Sequence, residues 1–212
     1  MQKSEVQERE SSVFINCPFD SEYAPLLDAL AFAISACGFK VRSALEVTDS
    51  GELRLQKILR LLEISRFSIH DLCRIELDPD SALPRFNMPL ELGIALGMKH
   101  LGNRKVKDHT ILILDSERFR YLRFASDLAG VDISEHGNTP KRVIRATRNF
   151  LATHRADLFD GEAIFRMYVA FEEALPFMAE AAKQSVGSLT FIDRLRLVEA
   201  FLETVERSTD QA

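Results

Sequence analysis

The chain has 212 residues, of which 46% are hydrophobic and 28% charged, and this length and composition are typical of one globular core, with or without an appendage. Its net charge of −5 gives no electrostatic basis for a nucleic-acid partner. Three widely spaced cysteines without a C-x-x-C pair argue against a disulfide framework or a zinc site, so we expect no bound metal. No apolar run has membrane-spanning length, and we expect a cytoplasmic protein.

Alternating strand and helix patterns follow a polar first segment. We predict a disordered arm over residues 1–12, because that stretch is charged and has few apolar residues. Short apolar runs bounded by turn residues predict strands, and apolar residues at helical spacing predict helices. In chain order, the predicted elements are a strand at Val13–Cys17, a helix at Ala24–Cys37, a strand at Phe39–Leu45, a helix at Glu52–Ile64, a strand at Phe67–Asp71, an irregular segment at Leu72–Phe86, a helix beginning near Pro89, a strand at His109–Asp115, a helix at Arg118–Ala129, an edge strand at Val131–Ile133 and a helix from Pro140 to about Arg155.

This alternation predicts an α/β fold over residues 13–156, with an open, mostly parallel five-stranded sheet and helices on both faces. From Asp157 the pattern changes, because two amphipathic helices, Gly161–Gln184 and Thr190–Glu206, follow without a strand between them. We therefore predict a C-terminal α-helical hairpin over residues 157–212. Its apolar side chains leave two alternatives open, packing on the sheet domain and packing on a second copy of the chain.

Polar residues lie where the predicted strands end, and ligands of open parallel sheets bind beyond those carboxyl ends. The predicted rim consists of Asn16 and Asp20 after the first strand, Glu46 and Asp49 after the second, Asp71 at the end of the third, and Asn87 and Glu91 at the next helix start. Several acids at one edge need neighbouring cations, for which the candidates are Arg42, Arg54 and Arg74. The loop after the first strand has neither G-x-G-x-x-G nor G-K-S/T, which argues against a dinucleotide-binding oxidoreductase and a P-loop NTPase.

Glu91 lies in the most informative stretch of the chain, the predicted helix that follows Asn87. Pro89 suits a first helical turn, and Asn87 is placed to cap the free backbone donors. The helix is otherwise apolar nearly all round, which predicts burial. A carboxylate there must be paired or face a cleft. Two alternatives stay open on the residues alone, a functional carboxylate and an acid that only satisfies the helix dipole.

Three short stretches together resemble a known superfamily. They are F-I-N-C-P-F-D at Phe14–Asp20, I-H-D-L at Ile69–Leu72 and E-L-G-I-A at Glu91–Ala95. By these stretches and by the order of its elements, the region Val13–Leu151 resembles the TIR-like and nucleoside 2-deoxyribosyltransferase-like superfamily, including bacterial TIR-like proteins of unknown role. The resemblance implies a TIR-like or flavodoxin-like fold, and it does not extend to the C-terminal helices.

The resemblance implies that Glu91 acts on an N-glycosidic bond, where a carboxylate stabilises an oxocarbenium-like transition state. It also implies that Asp71 positions the sugar or base and that Asn16 and Phe19 line the pocket. Deoxyribosyltransferases usually carry another acid shortly before the catalytic glutamate, where this chain has Asn87. Cleavage or cyclisation of NAD is therefore favoured over deoxyribosyl transfer.

The resulting hypothesis is an NAD glycohydrolase or ADP-ribose cyclase, with NAD as substrate rather than cofactor and, by resemblance, a role in bacterial antiviral defence. Two alternatives are a non-catalytic nucleotide sensor or interaction module, and an N-glycosidase or deoxyribosyltransferase acting on a nucleoside or nucleotide. By the same resemblance we expect a homo-oligomer, because TIR-like sites are often completed by a neighbouring chain, and the C-terminal helices are one candidate for its interface. The predicted substrate-binding residues are Asn16, Phe19, Asp20, Glu46, Arg54, Asp71 and Asn87, around the catalytic Glu91.

Overall fold

Five parallel strands form the central sheet of the computed structural model, which describes residues 3–46, 49–75, 86–103 and 106–209. The strands are β1 (Ser12–Asn16), β2 (Lys40–Ser43), β3 (Phe67–Asp71), β4 (Thr110–Asp115) and β5 (Ile133–Glu135). They lie in the order β2-β1-β3-β4-β5, and every neighbouring pair is parallel. The predicted α/β class and parallel sheet are confirmed.

Seven α-helices surround the sheet within the described ranges. They are α1 (Lys3–Ser11), α2 (Ala24–Ala36), α3 (Arg54–Glu63), α4 (Asn87–Leu101), α5 (Pro140–Leu151), α6 (Gly161–Ala181) and α7 (Phe191–Thr209). The strands β1 and β3 are buried at every position, because each has a strand on both sides and helices on both faces. Continuous burial explains why their sequences are apolar runs rather than alternating patterns.

The two faces of the sheet carry different helices. Val13 and Ile15 point into a core shared with α2 and α5, whereas Phe14, between them, packs against Ile58 of α3 and Ala95 of α4. Successive side chains of a strand point to opposite faces, so this alternation fixes the face of every neighbouring strand residue. The register pairs Asn16 with His70, and the carboxyl ends of β1 and β3 therefore meet at one edge.

The C-terminal helices pack on the α2–α5 face. Phe171 of α6 lies against Phe32 of α2 with their ring centroids 5.5 Å apart, and Val198 of α7 joins the same core. The hairpin thus packs on its own sheet domain, which is the first of the two predicted alternatives; assembly through it stays a prediction. Among the helices that the structure describes, none combines the length and the apolar character needed to cross a membrane.

The predicted disordered arm is wrong for residues 3–11, which form α1, while residues 1–2 lie outside the described part of the chain. Contacts of Arg9 explain why this segment is ordered. Arg9 is 7% exposed, and its Nη2 atom lies 2.8 Å from Asp108 Oδ1. Its Nε atom also donates to the carbonyl of Glu63. Composition did not reveal this anchor, because Arg9 bonds with residues that are distant in sequence.

The predicted helix at Arg118–Ala129 is also wrong, because the segment forms two short 3-10 turns, Arg120–Arg123 and Ser126–Leu128. Phe119 has a left-handed φ of 62° and Phe124 a φ of −132°, and both values interrupt an α-helix. The last strand, β5, lies two residues later than predicted. Residues 76–85 of the predicted irregular segment lie outside the described residues.

Candidate functional site

A cleft of about 260 Å³ lies beyond the carboxyl ends of β1 and β3. After β1 the chain continues to β2 on one side of β1, and after β3 it continues to β4 on the other side of the sheet. The connections that leave the neighbouring strands β1 and β3 therefore run in opposite directions. This switch point is where open α/β sheets form a ligand-binding crevice. The lining residues come from the loop after β1, the start of α3, the segment after β3 and the start of α4; they are Cys17, Pro18, Phe19, Arg54, Arg74, Asn87 and Met88.

Glu91 lies directly behind this cleft, on the second turn of α4. The helix begins at Asn87 rather than near Pro89, and Asn87 is its first residue, with no side-chain cap observed. Glu91 is 4% exposed, and its Oε1 atom accepts a 3.4 Å hydrogen bond from Arg54 Nε. Its Oε2 atom is buried and has no hydrogen-bond partner among the described residues. Arg54 belongs to the cleft wall and Glu91 is not among the lining residues, so Glu91 is connected to the cleft through its bond with Arg54.

Burial raises the pKa of Glu91, and two neighbours oppose the shift without cancelling it. Arg54 favours the carboxylate through its charge and its hydrogen bond, and Asn16 does so as a weaker hydrogen-bond donor. A carboxyl group of raised pKa at the edge of a cleft is suited to exchange a proton or to respond to a cationic ligand.

Arg54 and Phe19 form the wall in front of Glu91. The Arg54 guanidinium lies over the Phe19 ring, with its central carbon 5.6 Å from the ring centroid. The Arg54 side chain is 51% exposed, so it reaches solvent while holding Glu91. The cleft thus offers a cation and an aromatic ring, which bind phosphate groups and planar rings respectively.

No protein-family model matches the chain, and no curated protein matches it significantly. What the cleft can do chemically follows from its own residues. It combines a half-exposed guanidinium and an aromatic wall with a buried carboxylate oxygen that has no partner among the described residues. Of the residues predicted from sequence, the structure brings together Glu91, Arg54, Asn16, Phe19 and Asn87.

Asp71 lies on the opposite face of the sheet from Glu91. Its Oδ2 atom accepts a 2.6 Å hydrogen bond from the Tyr23 hydroxyl and lies 3.0 Å from His136 Nε2, and its Oδ1 atom accepts from the Cys73 backbone N–H. Burial alone would raise the pKa of Asp71, but the bonds from His136 and Tyr23 outweigh it and hold that pKa below its ordinary value. Asp71 is 1% exposed, and it is the centre of a buried group of hydrogen bonds rather than part of the cleft wall.

Asp71, Cys73 and His136 bring three potential metal ligands within 4.8 Å of one another. The hydrogen bonds of His136 oppose such a role. Its Nδ1 atom accepts from the backbone N–H of Asn138 at 3.1 Å, so the neutral ring carries its proton on Nε2, toward Asp71. A protonated ring nitrogen has no lone pair for a metal. The cluster is therefore better explained as a hydrogen-bonded core.

The three predicted cations each pair with a rim acid, as expected. Arg54 pairs with Glu91, Arg74 Nη2 lies 3.4 Å from Asp20 Oδ1, and Arg42 Nε lies 3.1 Å from Glu46 Oε1. Glu46 also accepts from the backbone N–H of Ser43, so it closes the turn after edge strand β2 and is not among the cleft-lining residues. Asp20 accepts from the backbone N–H of Tyr23 and shapes the loop after β1.

A second cavity, of about 380 Å³, opens on the α2–α5 side of the same edge. Tyr23, Cys73 and Asn138 contribute to its walls, and Arg74 borders both cavities. We assign the candidate site to the smaller cleft, because its wall residue Arg54 bonds with Glu91, whose Oε2 atom has no hydrogen-bond partner within the described ranges. Cys17 is a poor nucleophile there, since burial and then Asp71 raise its pKa.

Sequence reasoning missed the partners of the rim residues. His136 reaches Asp71 from the loop before α5, and no sequence spacing predicts that contact. The contact between Ser68 and His70 could have been predicted, because two residues that are two positions apart in a strand share one face. Buried polar side chains on a common face must bond to each other or to a neighbour.

Proposed function

We propose that this protein cleaves the N-glycosidic bond between nicotinamide and ribose in NAD, with Glu91 as the catalytic carboxylate. The observation that carries the proposal is the Oε2 atom of Glu91, which is buried and has no hydrogen-bond partner in the part of the chain that the structure describes. A buried carboxylate oxygen without a donor is costly for the apo protein. Such a cost is expected where the group serves a reaction.

The reaction suits an ionised carboxylate. When the bond between ribose C1′ and the nicotinamide nitrogen breaks, the electron pair leaves with the cationic ring, which becomes neutral nicotinamide. The ribose then carries an oxocarbenium-like positive charge, which Glu91 stabilises. Attack of water at C1′ gives ADP-ribose and releases one proton; attack by a ring nitrogen of the adenine gives the cyclic product instead.

The substrate itself would ionise Glu91. Burial raises the pKa of this group in the free protein, and a positively charged nicotinamide ring beside it favours the carboxylate. Arg54 holds Glu91 through one long hydrogen bond of 3.4 Å and is half-exposed. In this proposal Arg54 turns toward the substrate phosphates, which uncovers Glu91 at the cleft, while Phe19 stacks on the planar ring.

A nucleotide sensor without turnover is the second candidate. It is favoured by one specific observation, the 4% exposure of Glu91 behind Arg54. In that case Arg54 would bind the phosphates and Glu91 would only set the position of the guanidinium.

The test is incubation of the purified protein with NAD, with a nucleoside and with a nucleoside monophosphate, followed by chromatography and mass spectrometry. The proposal expects nicotinamide from NAD together with ADP-ribose or its cyclic form. Free base from the nucleoside or the monophosphate instead would identify a nucleoside-type glycosidase. Binding of NAD by calorimetry without any product would favour the sensor.

Two variants complete this test. Glu91→Gln should abolish nicotinamide release. Glu162→Gln is the matched control, because Glu162 lies near the start of another helix, α6, where it pairs with Lys141 on the surface. Nicotinamide release that persists in Glu91→Gln would reject Glu91 as the catalytic group.

A further inference from the structure

A buried chain of hydrogen-bonded side chains runs from the start of β4 to the candidate site. Its members are Asn16, Ser68, His70 and His109, each at most 3% exposed. Asn16 Nδ2 lies 3.0 Å from His70 Nδ1, and His70 Nε2 lies 2.9 Å from Ser68 Oγ. His109 Nε2 lies 2.8 Å from the same hydroxyl, and His109 Nδ1 ends the chain 3.0 Å from the backbone carbonyl of Ser65.

The carbonyl of Ser65 sets the direction of every bond in this chain. A carbonyl only accepts, so His109 donates from Nδ1, and its Nε2 in the neutral ring must accept from the Ser68 hydroxyl. Since Ser68 has only one hydroxyl hydrogen, its oxygen accepts from His70 Nε2–H. His70 Nδ1 is then an acceptor, and Asn16 must donate to it through its amide nitrogen.

We propose that Asn16 is a positioning residue for Glu91, and that the chain through His70, Ser68 and His109 fixes the orientation of its amide. With its nitrogen held toward His70, the Asn16 amide presents N–H rather than oxygen to Glu91, which lowers the pKa of that carboxyl. This weak interaction leaves the Oε2 atom of Glu91 without a hydrogen-bond partner among the described residues. A flipped amide would present its oxygen to a carboxylate and repel it. This inference rests on the proposed function, because it assigns the chain to the placement of the catalytic group.

The arrangement suits positioning better than simple stability. β1 and β3 are central strands in which apolar side chains would fill the same space without polar atoms to satisfy. A fully bonded polar chain instead gives each member one orientation. Among the described residues, the other groups that act on Glu91 or feel its charge are Arg54 of α3 and the Cys17 thiol.

The first experiment needs no substrate. Long-range proton–nitrogen NMR spectra of the histidine rings report which nitrogen carries the proton. We expect the Nε2–H form for His70 and the Nδ1–H form for His109 at pH 7. Either ring in the other form would overturn the bond directions and the inference with them.

The second experiment breaks the chain at its centre. Ser68→Ala removes the hydroxyl that joins the two histidines, and Ser68→Thr retains it. Ser12→Ala is the matched control, because Ser12 is a fully buried serine of β1 whose hydroxyl donates a 2.7 Å hydrogen bond outside the chain. Each variant is assayed for nicotinamide release from NAD across pH, and the titration of the Glu91 side chain is followed by carbon-13 NMR.

We expect Ser68→Ala to lower kcat about tenfold with KM within about twofold of the parent value, and to move the Glu91 titration to higher pH. Ser68→Thr should restore both quantities, and Ser12→Ala should change neither. Normal kcat and an unmoved Glu91 titration in Ser68→Ala would refute the positioning role while leaving the proposed function standing. A moved titration in a protein that releases no nicotinamide would refute the proposed function and, with it, the catalytic purpose of the chain.

Discussion

Lowering the pH from 7 to 5 should destabilise the folded protein, because His70 and His109 are buried as neutral rings. Burial lowers the pKa of His70 to about 3 and that of His109 to about 4. In the unfolded chain both rings titrate near the ordinary pKa of about 6.5. Below that pH the unfolded state takes up protons that the folded state does not, so each histidine favours unfolding by about 1.4 kcal/mol per pH unit until its folded pKa is reached.

At pH 5 the expected loss is about 2 kcal/mol for each histidine and about 4 kcal/mol for the pair. Asp28 opposes this loss, because burial raises the pKa of its carboxyl to about 6, although Arg194 works against the shift. Between pH 7 and pH 5 the folded state therefore takes up a proton at Asp28 that the unfolded chain, with a pKa near 3.9, does not. This uptake adds about 1 kcal/mol, so these three groups together give a net loss of about 3 kcal/mol.

Urea unfolding followed by circular dichroism at pH 7 and pH 5, at constant ionic strength, measures the change. Asp28→Asn removes the opposing group and should enlarge the loss to about 4 kcal/mol. Burial also raises the pKa of Glu91 and of Asp115, so the histidine rings are followed by NMR in the same variant. Equal or greater stability at pH 5 together with NMR signals of protonated His70 and His109 would mean that the folded protein accepts protons on these histidines. The neutral hydrogen-bonded chain would then be refuted.

Three further substitutions separate the roles of the two sheet faces. Tyr23→Phe removes a 2.6 Å hydrogen bond to the buried Asp71 carboxylate and should cost about 2 kcal/mol in urea unfolding, with nicotinamide release retained because Asp71 lies on the face opposite the cleft. Arg54→Gln should change stability by less than about 1 kcal/mol, since the guanidinium is half-exposed, but it should raise the KM for NAD and, in a carbon-13 titration, the pKa of Glu91. Phe171→Ala should lower the stability by about 4 kcal/mol, measured by thermal unfolding, because the ring is buried between the hairpin and the sheet domain.

The order of elements could be predicted because strands and helices alternate with clear apolar patterns. The run at Phe67–Asp71 is the strand β3 with those same bounds. Segments governed by side-chain contacts could not be predicted in this way. Arg9 makes a charged stretch helical through distant partners, and Arg120 anchors its turn by donating to Asp115 and to the carbonyl of Leu72.

The sequence predicted polar residues at the sheet edge where the structure has a cleft. It also predicted that Asp71 and Glu91 would lie together there, and the structure places them apart. Asp71 and His70 are adjacent in one strand, so only one of them can share a face with Glu91. The structure puts His70 on that face, where its ring contacts Phe14, and Asp71 on the other. The sequence shows which residues of this strand share a face. It does not show which of the two faces α4 covers, because that depends on how the crossover connections wind around the sheet.

The rate of nicotinamide release from saturating NAD by the Glu91→Gln variant, relative to the parent protein and to Glu162→Gln, tests the central claim most directly. Glutamine keeps the shape of the side chain and an oxygen that can accept from Arg54, and the Arg54 partner of the lost ion pair is half-exposed, so the melting temperature should stay nearly unchanged. We expect full release by Glu162→Gln and none by Glu91→Gln at that unchanged melting temperature. Release by Glu91→Gln at the parent rate would contradict it.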